Sequence, residues 1–476
     1  MLEVENLSIG KGLVNNISFR IGAGERVGLI GESGSGKSLT ALAIMGLTDL
    51  PRSGSTLLDA EDSWRHRGQR IAMIFQEPMT ALNPLMRVGR QIEEMMTLHG
   101  HTRARARRRT GEMLADVSLP ARTARAYPHE LSGGQRQRAL ITMAMANDPE
   151  VLICDEPTTA LDVTVQRHII DLLLRMAEER GTSLLFITHD LGLVAQTCDR
   201  LLVMKSGEIV ESGATAGVLR SPRHPYTRRL VDASTLSTPP VVEDYGPTVA
   251  TLDGVRRQFR GTTALDSISL TLRRGERLGV VGGSGSGKTT LLKLLAGLDR
   301  PTSGTLRVEG GTQMVFQDPQ SSLNPRMRIG EIVAEPLLGW GAREKRERAL
   351  EVLAQVGLGA EVIDRYPHEF SGGQRQRISI ARALSVKPEI LLADEPVSAL
   401  DVSVRKPVLD LLAQLVDEYG LTLVFVSHDL SVVRHICTSV VVMDHGRIVE
   451  RGRVDEVYDH PRSEFTRALL DAIPVL

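Results

Sequence analysis

Two phosphate-loop motifs stand in this chain: GESGSGKS at Gly31–Ser38 and GGSGSGKT at Gly282–Thr289, 251 positions apart. The segments downstream of each loop repeat as well. HELSGGQRQR (His129–Arg138) returns as HEFSGGQRQR (His368–Arg377), CDEPTTALDVTV (154–165) as ADEPVSALDVSV (393–404), and THDL (188–191) as SHDL (427–430), each 239 positions on. The tails match too, GEIVESG (207–213) with GRIVERG (446–452) and PYTRRLVDA (225–233) with EFTRALLDA (464–472). Between the loop and Gln76/Gln317 the offset falls from 251 to 241, so the first copy carries ten extra residues around Asp59–Gly68. A period this long exceeds that of any solenoid repeat and indicates a duplicated domain. The expected organisation is a first domain over 1–233, a linker over 234–248 (STLSTPPVVEDYGPT) and a second domain over 249–476.

Each copy alternates short apolar runs with helical stretches. Arg26–Ile30 and Arg277–Val281 lead into the glycine loops; Val151–Cys154, Ser183–Ile187, Ile390–Leu392 and Thr422–Val426 are further runs bounded by turns or charges. Continuous apolar strands of this length predict a mostly parallel sheet covered on both faces. The leading segments Leu2–Ile9 and Asn16–Ile21 alternate instead, which predicts an antiparallel flank. The fold class is α/β.

The loops fit G-x-x-x-x-G-K-[ST] completely, between an apolar strand and a helix-like stretch (Ser38–Gly46, Thr289–Gly297). Gly31, Gly34 and Gly36, with Ser33, and their counterparts Gly282, Ser284, Gly285 and Gly287, let backbone N–H groups wrap phosphate oxygens at a helix N-terminus. Lys37 and Lys288 would reach the β- and γ-phosphates, and Ser38 and Thr289 would hold Mg²⁺. Asp155-Glu156 and Asp394-Glu395 end apolar strands, where α/β sheets bind ligands. The aspartates suit a metal, and the glutamates suit orienting or deprotonating an attacking water. His189 and His428 each follow the aspartate by 34 positions and suit a γ-phosphate contact. Gln76 and Gln317, in IFQEP and VFQDP, could meet Mg²⁺ or water. Ser132-Gly133-Gly134-Gln135 and Ser371-Gly372-Gly373-Gln374 form a second glycine-rich helix opening, another anion site in principle.

The ordered set of phosphate loop, Gln, SGGQ, DEP, ALD and His resembles the nucleotide-binding domain of ABC ATPases, here in tandem over nearly the whole chain. The resemblance implies two P-loop NTPase domains, each with a parallel core, an antiparallel β flank and a helical subdomain. It further implies a head-to-tail sandwich of two ATP molecules, with Gly31–Ser38 facing Ser371–Gln374, Gly282–Thr289 facing Ser132–Gln135, and Asp162 and Asp401 at the interface. FQEPMTALNP (75–84), FQDPQSSLNP (316–325), YPHELSGGQRQR and the two tails are similar to the ATPases of oligopeptide, dipeptide and nickel importers. That implies an ATP-hydrolysing motor for uptake of peptides, nickel chelates or glutathione. Its partners would be two membrane-spanning permeases, received near the residues after Gln76 and Gln317, and an extracytoplasmic solute-binding protein. The two copies would form an intramolecular dimer, one chain per transporter, on the cytoplasmic face of the membrane.

Phe259 occupies the position where the family places an adenine-stacking aromatic; its gapless counterpart in the first copy is Ser8, so weaker ATP binding is expected there. Neither tail carries a cysteine, so no iron–sulfur cluster is expected. Pro407 is expected near the start of a helix.

Composition narrows the alternatives. Hydrophobic residues at 42% and charged ones at 24% exclude a disordered or collagen-like chain. A net charge of −1 and 3% aromatics argue against a nucleic-acid partner, and so against a tandem ABC ATPase acting on ribosomes or nucleic acid. Cys154, Cys198 and Cys437 are too scattered for a disulfide framework. The opening MLEVENLSIGKG lacks the apolar core of a signal peptide, and no apolar run reaches bilayer-spanning length. Membrane association is therefore expected to be peripheral. The run Arg103, Arg105, Arg107, Arg108, Arg109 reads as a solvated helix face, and Trp64 and Trp340 have no assigned role.

Overall fold

The computed structural model describes residues 1–76, 81–158, 162–236, 245–259, 261–398 and 400–473. Residues 77–80 after Gln76, 159–161 in the TALD segment and most of the expected linker lie outside them. Backbone contacts group the chain into two compact units, Met1–Asp232 and Ala233–Ile473.

In the first unit a six-stranded sheet runs in the order Glu208–Ala214, Arg200–Lys205, Arg26–Ile30, Ser183–Ile187, Val151–Asp155, Ile71–Ile74. All neighbours are parallel except the hairpin of the first two. Apart from Arg26 the central strands are buried throughout, which is why they read as apolar runs. The second unit repeats the order with Arg447–Arg453, Ser439–Asp444, Arg277–Gly282, Thr422–Val426, Ile390–Asp394 and Thr312–Val315. Beside each core lies the antiparallel layer: Val14–Ile21, Leu2–Ile9 and Arg52–Leu58 in one, Thr262–Arg273, Thr248–Phe259 and Ser303–Val308 in the other. Their alternating burial matches one wet face and one packed face.

Two apolar clusters form the first core. One joins the β layer to the loop helix Lys37–Ile44; the other joins the opposite sheet face to the helices after Gln76. The ten extra residues of the first copy have a packing role. They form the strand Glu61–Asp62 and a 3₁₀ turn, Ser63–His66, which docks on the end of the loop helix. There the buried Ser63 hydroxyl donates to Ile44 O at 2.7 Å, and Trp64 lies against Gly46.

The expected elements recur with small shifts. The loop helices begin at Lys37 and Lys288 and end at Ile44 and Leu295. Pro407 departs from expectation. The helix Val402–Tyr419 starts five residues before it, so the proline lies past the first turn and removes a hydrogen bond to the Ser403 carbonyl.

Candidate functional site

The parallel order of the sheet brings the site together. Arg26–Ile30, Ser183–Ile187, Val151–Asp155 and Ile71–Ile74 are successive neighbours pointing the same way, so their C-terminal ends open on one edge. From that edge issue the phosphate loop, His189, Asp155-Glu156 and Gln76. The same edge in the second unit carries Gly282–Thr289, His428, Asp394-Glu395 and Gln317.

At the loop, Lys37 is 7% exposed and donates from Nζ to Gly31 O at 2.7 Å and Glu32 O at 2.8 Å. Lys288 does the same toward Gly282 O and Gly283 O, at 2.9 and 2.8 Å. These carbonyl bonds hold a buried ammonium beneath the loop. Gly31 has φ 157°, and a Cβ there would lie 2.1 Å from Met204 O; Gly282 repeats this against Met443 O. No side chain fits at either position. Gly34 (φ 76°) and Gly285 (φ 77°) instead face open space, so their left-handed turns serve the loop's curvature.

Ser38 Oγ donates to Asp155 Oδ1 at 3.0 Å, and Thr289 Oγ1 to Asp394 Oδ1 at 3.4 Å. Burial pushes both aspartates above the usual carboxylate range. In each copy the neighbouring glutamate, Glu156 or Glu395, pushes the aspartate further up, while the hydroxyl bond from Ser38 or Thr289 and the charge of Lys37 or Lys288 pull it back. A hydroxyl paired with an uncomfortable buried carboxylate is a hard oxygen donor set for a divalent cation.

Glu156 and Glu395 are the meeting points. Gln76 Nε2 donates to Glu156 Oε2 at 2.8 Å while His189 Nδ1 lies 3.2 Å from Oε1. In the second unit both groups meet one oxygen, with Gln317 Nε2 3.0 Å and His428 Nδ1 3.0 Å from Glu395 Oε2. Burial works against ionising Glu395, but the His428 hydrogen bond, the His428 charge and Lys288 outweigh it and hold the carboxyl below its usual value. Both glutamates sit at positive φ, 47° and 44°, in a region a non-glycine residue rarely adopts. Their N–H groups, bonded to Ile187 O at 2.9 Å and Val426 O at 3.0 Å, pin that backbone. Strain fixed in this way at both sites is characteristic of functional positions.

The SGGQ segments are helix starts. Ser132 Oγ accepts the Gln135 N–H at 3.3 Å while Gln135 Oε1 accepts the Ser132 N–H at 3.0 Å; Ser371 and Gln374 reproduce this at 3.4 and 3.1 Å. These are reciprocal capping boxes. Gly133 and Gly372 follow the serine. Gly134 and Gly373 pack against Val165 and Val404 of the next helix, where a Cβ would come within 2.8 and 2.3 Å of a valine methyl.

Phe259 ends its strand 45% exposed, with the Arg257 guanidinium 4.2 Å from its ring centroid. Ser8 offers no such surface; its hydroxyl accepts the Asn16 N–H at 2.9 Å. One contact escaped the sequence reading. Buried Tyr226, from HPYTRRL, accepts the N–H of Glu32 in the first phosphate loop on its hydroxyl at 2.9 Å, where the second copy has Phe465. The tyrosine-for-phenylalanine difference between the tails was the available signal.

The chain is similar to known proteins along both copies. The ABC transporter family model matches residues 14–159 and 265–398, and the model described as oligopeptide/dipeptide transporter, C-terminal region, matches 210–247. The peptidoglycan transport ATP-binding protein YejF of Agrobacterium fabrum is 45% identical, covering 96% of this chain and 92% of that protein. The oligopeptide transport ATP-binding protein OppD of Mycobacterium tuberculosis is 40% identical over 97% and 95%, and the glutathione import ATP-binding protein GsiA of Escherichia coli 40% over 100% and 90%. Among solved structures, archaeal ribosome recycling factor aABCE1, in complex with ribosomal stalk protein aP1, aligns over 95% of this chain and 90% of its own with a TM-score of 0.68. At 21% identity that likeness is one of fold. The chain belongs to the ABC transporter family and is an ATPase with two P-loop domains in tandem. Within that family it is similar to ATP-binding proteins named for oligopeptide and glutathione transport, and its own residues 210–247 match the oligopeptide/dipeptide transporter region.

Proposed function

We propose that the chain is the energising subunit of an importer for peptides or a related small solute such as glutathione or a nickel chelate. In this reading ATP binding and hydrolysis at the paired copies drive separate permeases fed by an extracytoplasmic binding protein. One chain supplies both copies, acting on the cytoplasmic face of the membrane. Among the described residues no helix is long and apolar enough to cross a membrane, which fits a peripheral motor. The observation that carries the reading is the duplicated Gln–Glu–His cluster beside a loop-held lysine. The oligopeptide/dipeptide region at 210–247 favours transport over action on ribosomes or nucleic acid.

The residues fit ATP with Mg²⁺: the glycine turns leave room at Gly34 and Gly285, and a hydroxyl–carboxylate pair lies beside each buried lysine. Ser38, Asp155 and Gln76 would hold the metal in the first copy, and Thr289, Asp394 and Gln317 in the second. Bound Mg²⁺ would neutralise charge on the phosphate oxygens. Lys37 and Lys288 would contact the β- and γ-phosphates. Glu156 and Glu395 would orient and accept a proton from the attacking water, with His189 and His428 fixing the carboxylate and meeting the γ-phosphate. Ser132–Gln135 and Ser371–Gln374 would each complete the nucleotide site of the other copy, and Phe259 would stack on adenine.

Glu156→Gln and Glu395→Gln, each made alone, are expected to slow hydrolysis at the altered site on the order of a hundredfold or more, with ATP retained there, so that each lowers the chain's steady-state turnover. If neither single change slows turnover, the two-site reading fails.

A further inference from the structure

The arginine run lies on the helix Arg103–Asp116, capped by Thr102. That helix buries Ala106, Thr110, Met113 and Leu114, and turns Arg103, Arg105, Arg107 and Arg108 to solvent. Arg109 is taken up structurally, bonding Ala146 O at 3.2 Å and pairing with Asp148, and Arg108 faces Glu112 at 3.7 Å. Among the described residues no acidic side chain pairs with Arg103, Arg105 or Arg107. Exposed Arg122 and Arg125 stand on a neighbouring 3₁₀ turn, Ala121–Arg125, packed against this helix and the preceding one, Val88–Leu98. Leu98, 72% exposed, sits at the tip just before the run.

Helix physics disfavours this arrangement. Arg103 and Arg105 occupy the first turn, which has no acidic residue, so they add positive charge to the positive end of the dipole. Arg103 with Arg107 and Arg105 with Arg109 are like charges at i,i+4, a destabilising spacing. The second copy also opens its equivalent helix with basic residues, Arg343 and Lys345, but sets acidic ones among them. In the helix Ala342–Gln355, Glu344 accepts the Gly341 N–H at 2.9 Å, Arg343 pairs with Glu347 at 2.8 Å and Arg346 with Asp364 at 3.2 Å. Residues 87–125 hold nine arginines and four acids, whereas 328–364 hold five basic residues and seven acids. Only the first copy concentrates uncompensated charge, and it does so against its own helix stability. Such a local violation marks an external partner.

We propose that this face, Arg103, Arg105, Arg107, Arg122 and Arg125 with Leu98 at its tip, binds the headgroups of anionic phospholipid. Basic side chains gain from the negative surface of such a leaflet, and an apolar residue beside them enters the interface. The inference uses the transport reading only in that it places the chain beside a bilayer. Vesicle binding needs no permease and no hydrolysis, so either claim can fail while the other stands.

The test is co-sedimentation of the full chain with phosphatidylcholine vesicles, with and without phosphatidylglycerol. Binding is expected only with phosphatidylglycerol, and raising salt should release it. Arg103→Gln/Arg105→Gln/Arg107→Gln should lower vesicle partitioning on the order of a hundredfold, with ATP turnover unchanged. The corresponding triple lysine variant should retain binding, as should Arg343→Gln/Lys345→Gln/Arg346→Gln in the second copy. The glutamine variant removes repulsion, so its melting temperature should hold or rise. Equal binding to neutral vesicles, or full binding by the glutamine variant, overturns the proposal. So does a chain that ignores vesicles and shifts RNA or DNA through these arginines.

Discussion

Glu156 and Glu395 each accept an amide hydrogen bond from a glutamine and meet a histidine nitrogen, on a backbone held at positive φ. A carboxylate fixed at two contacts loses little orientation entropy when water must be aligned, which is the preorganisation that catalysis rewards. The proposed adenine contact differs between the copies. The second offers the exposed ring of Phe259; the first offers Ser8, already bonded to Asn16. Stacking is worth about 1–3 kcal/mol per base. Titration with site-specific probes should therefore find weaker ATP binding at the first loop, and Phe259→Ser should weaken the second site roughly tenfold. Equal affinities in the unaltered chain would remove this asymmetry. At this scale the candidate residues were legible one by one, each from a contiguous motif or a strand end. Their hydrogen bonds were not, because Asp155 lies 117 residues from Ser38, Gln76 80 from Glu156 and His189 33 from it, and only strand adjacency unites them. Nor was the hydroxyl of Tyr226, which reaches the loop from a helix 194 residues on.

At the scale of elements, the order of parallel strands does the assembling. Ile74 pairs with Cys154 and Asp155 with Ile187, so the residues one or two steps beyond each strand end share one rim. Unbroken apolar runs revealed these strands, but their order in the sheet is a long-range property that no local pattern carries. The signature helix Gly133–Ala144 and its twin Gly372–Leu384 are set by capping and by close approach to the following helix. At Gly373 an added Cβ would lie 2.3 Å from the Val404 Cγ1, and a valine on a helix has essentially one rotamer, so the methyl cannot turn aside. Gly373→Ala should cost about 1–3 kcal/mol by overpacking, more than Gly134→Ala, where the contact is 2.8 Å. Adding Val404→Ala should recover most of the loss. Thermal or denaturant unfolding checks the order; equal costs at the two glycines would contradict it. Pro407 shows the limit of boundary reading. Its helix begins at Val402, so a residue read as sitting at a tolerant start lies beyond the four free N–H groups.

The whole molecule is one fold written twice with unequal surfaces. Both copies keep the lysine, the hydroxyl–aspartate pair and the Gln–Glu–His cluster, so duplication has preserved these side chains and their contacts. The differences lie around it: the aromatic at 259, the docked segment at Asp59–Gly68, the tyrosine at 226 and the charge of 87–125 against 328–364. The central claim is that one chain carries two competent ATP sites. It is tested most directly by counting nucleotides held at saturating ATP and Mg²⁺ by the Glu156→Gln/Glu395→Gln chain, with its mass in solution measured alongside. Two intact ATP molecules are expected on a single 52.0 kDa chain. One ATP per chain, or retention only after two chains associate, would contradict it.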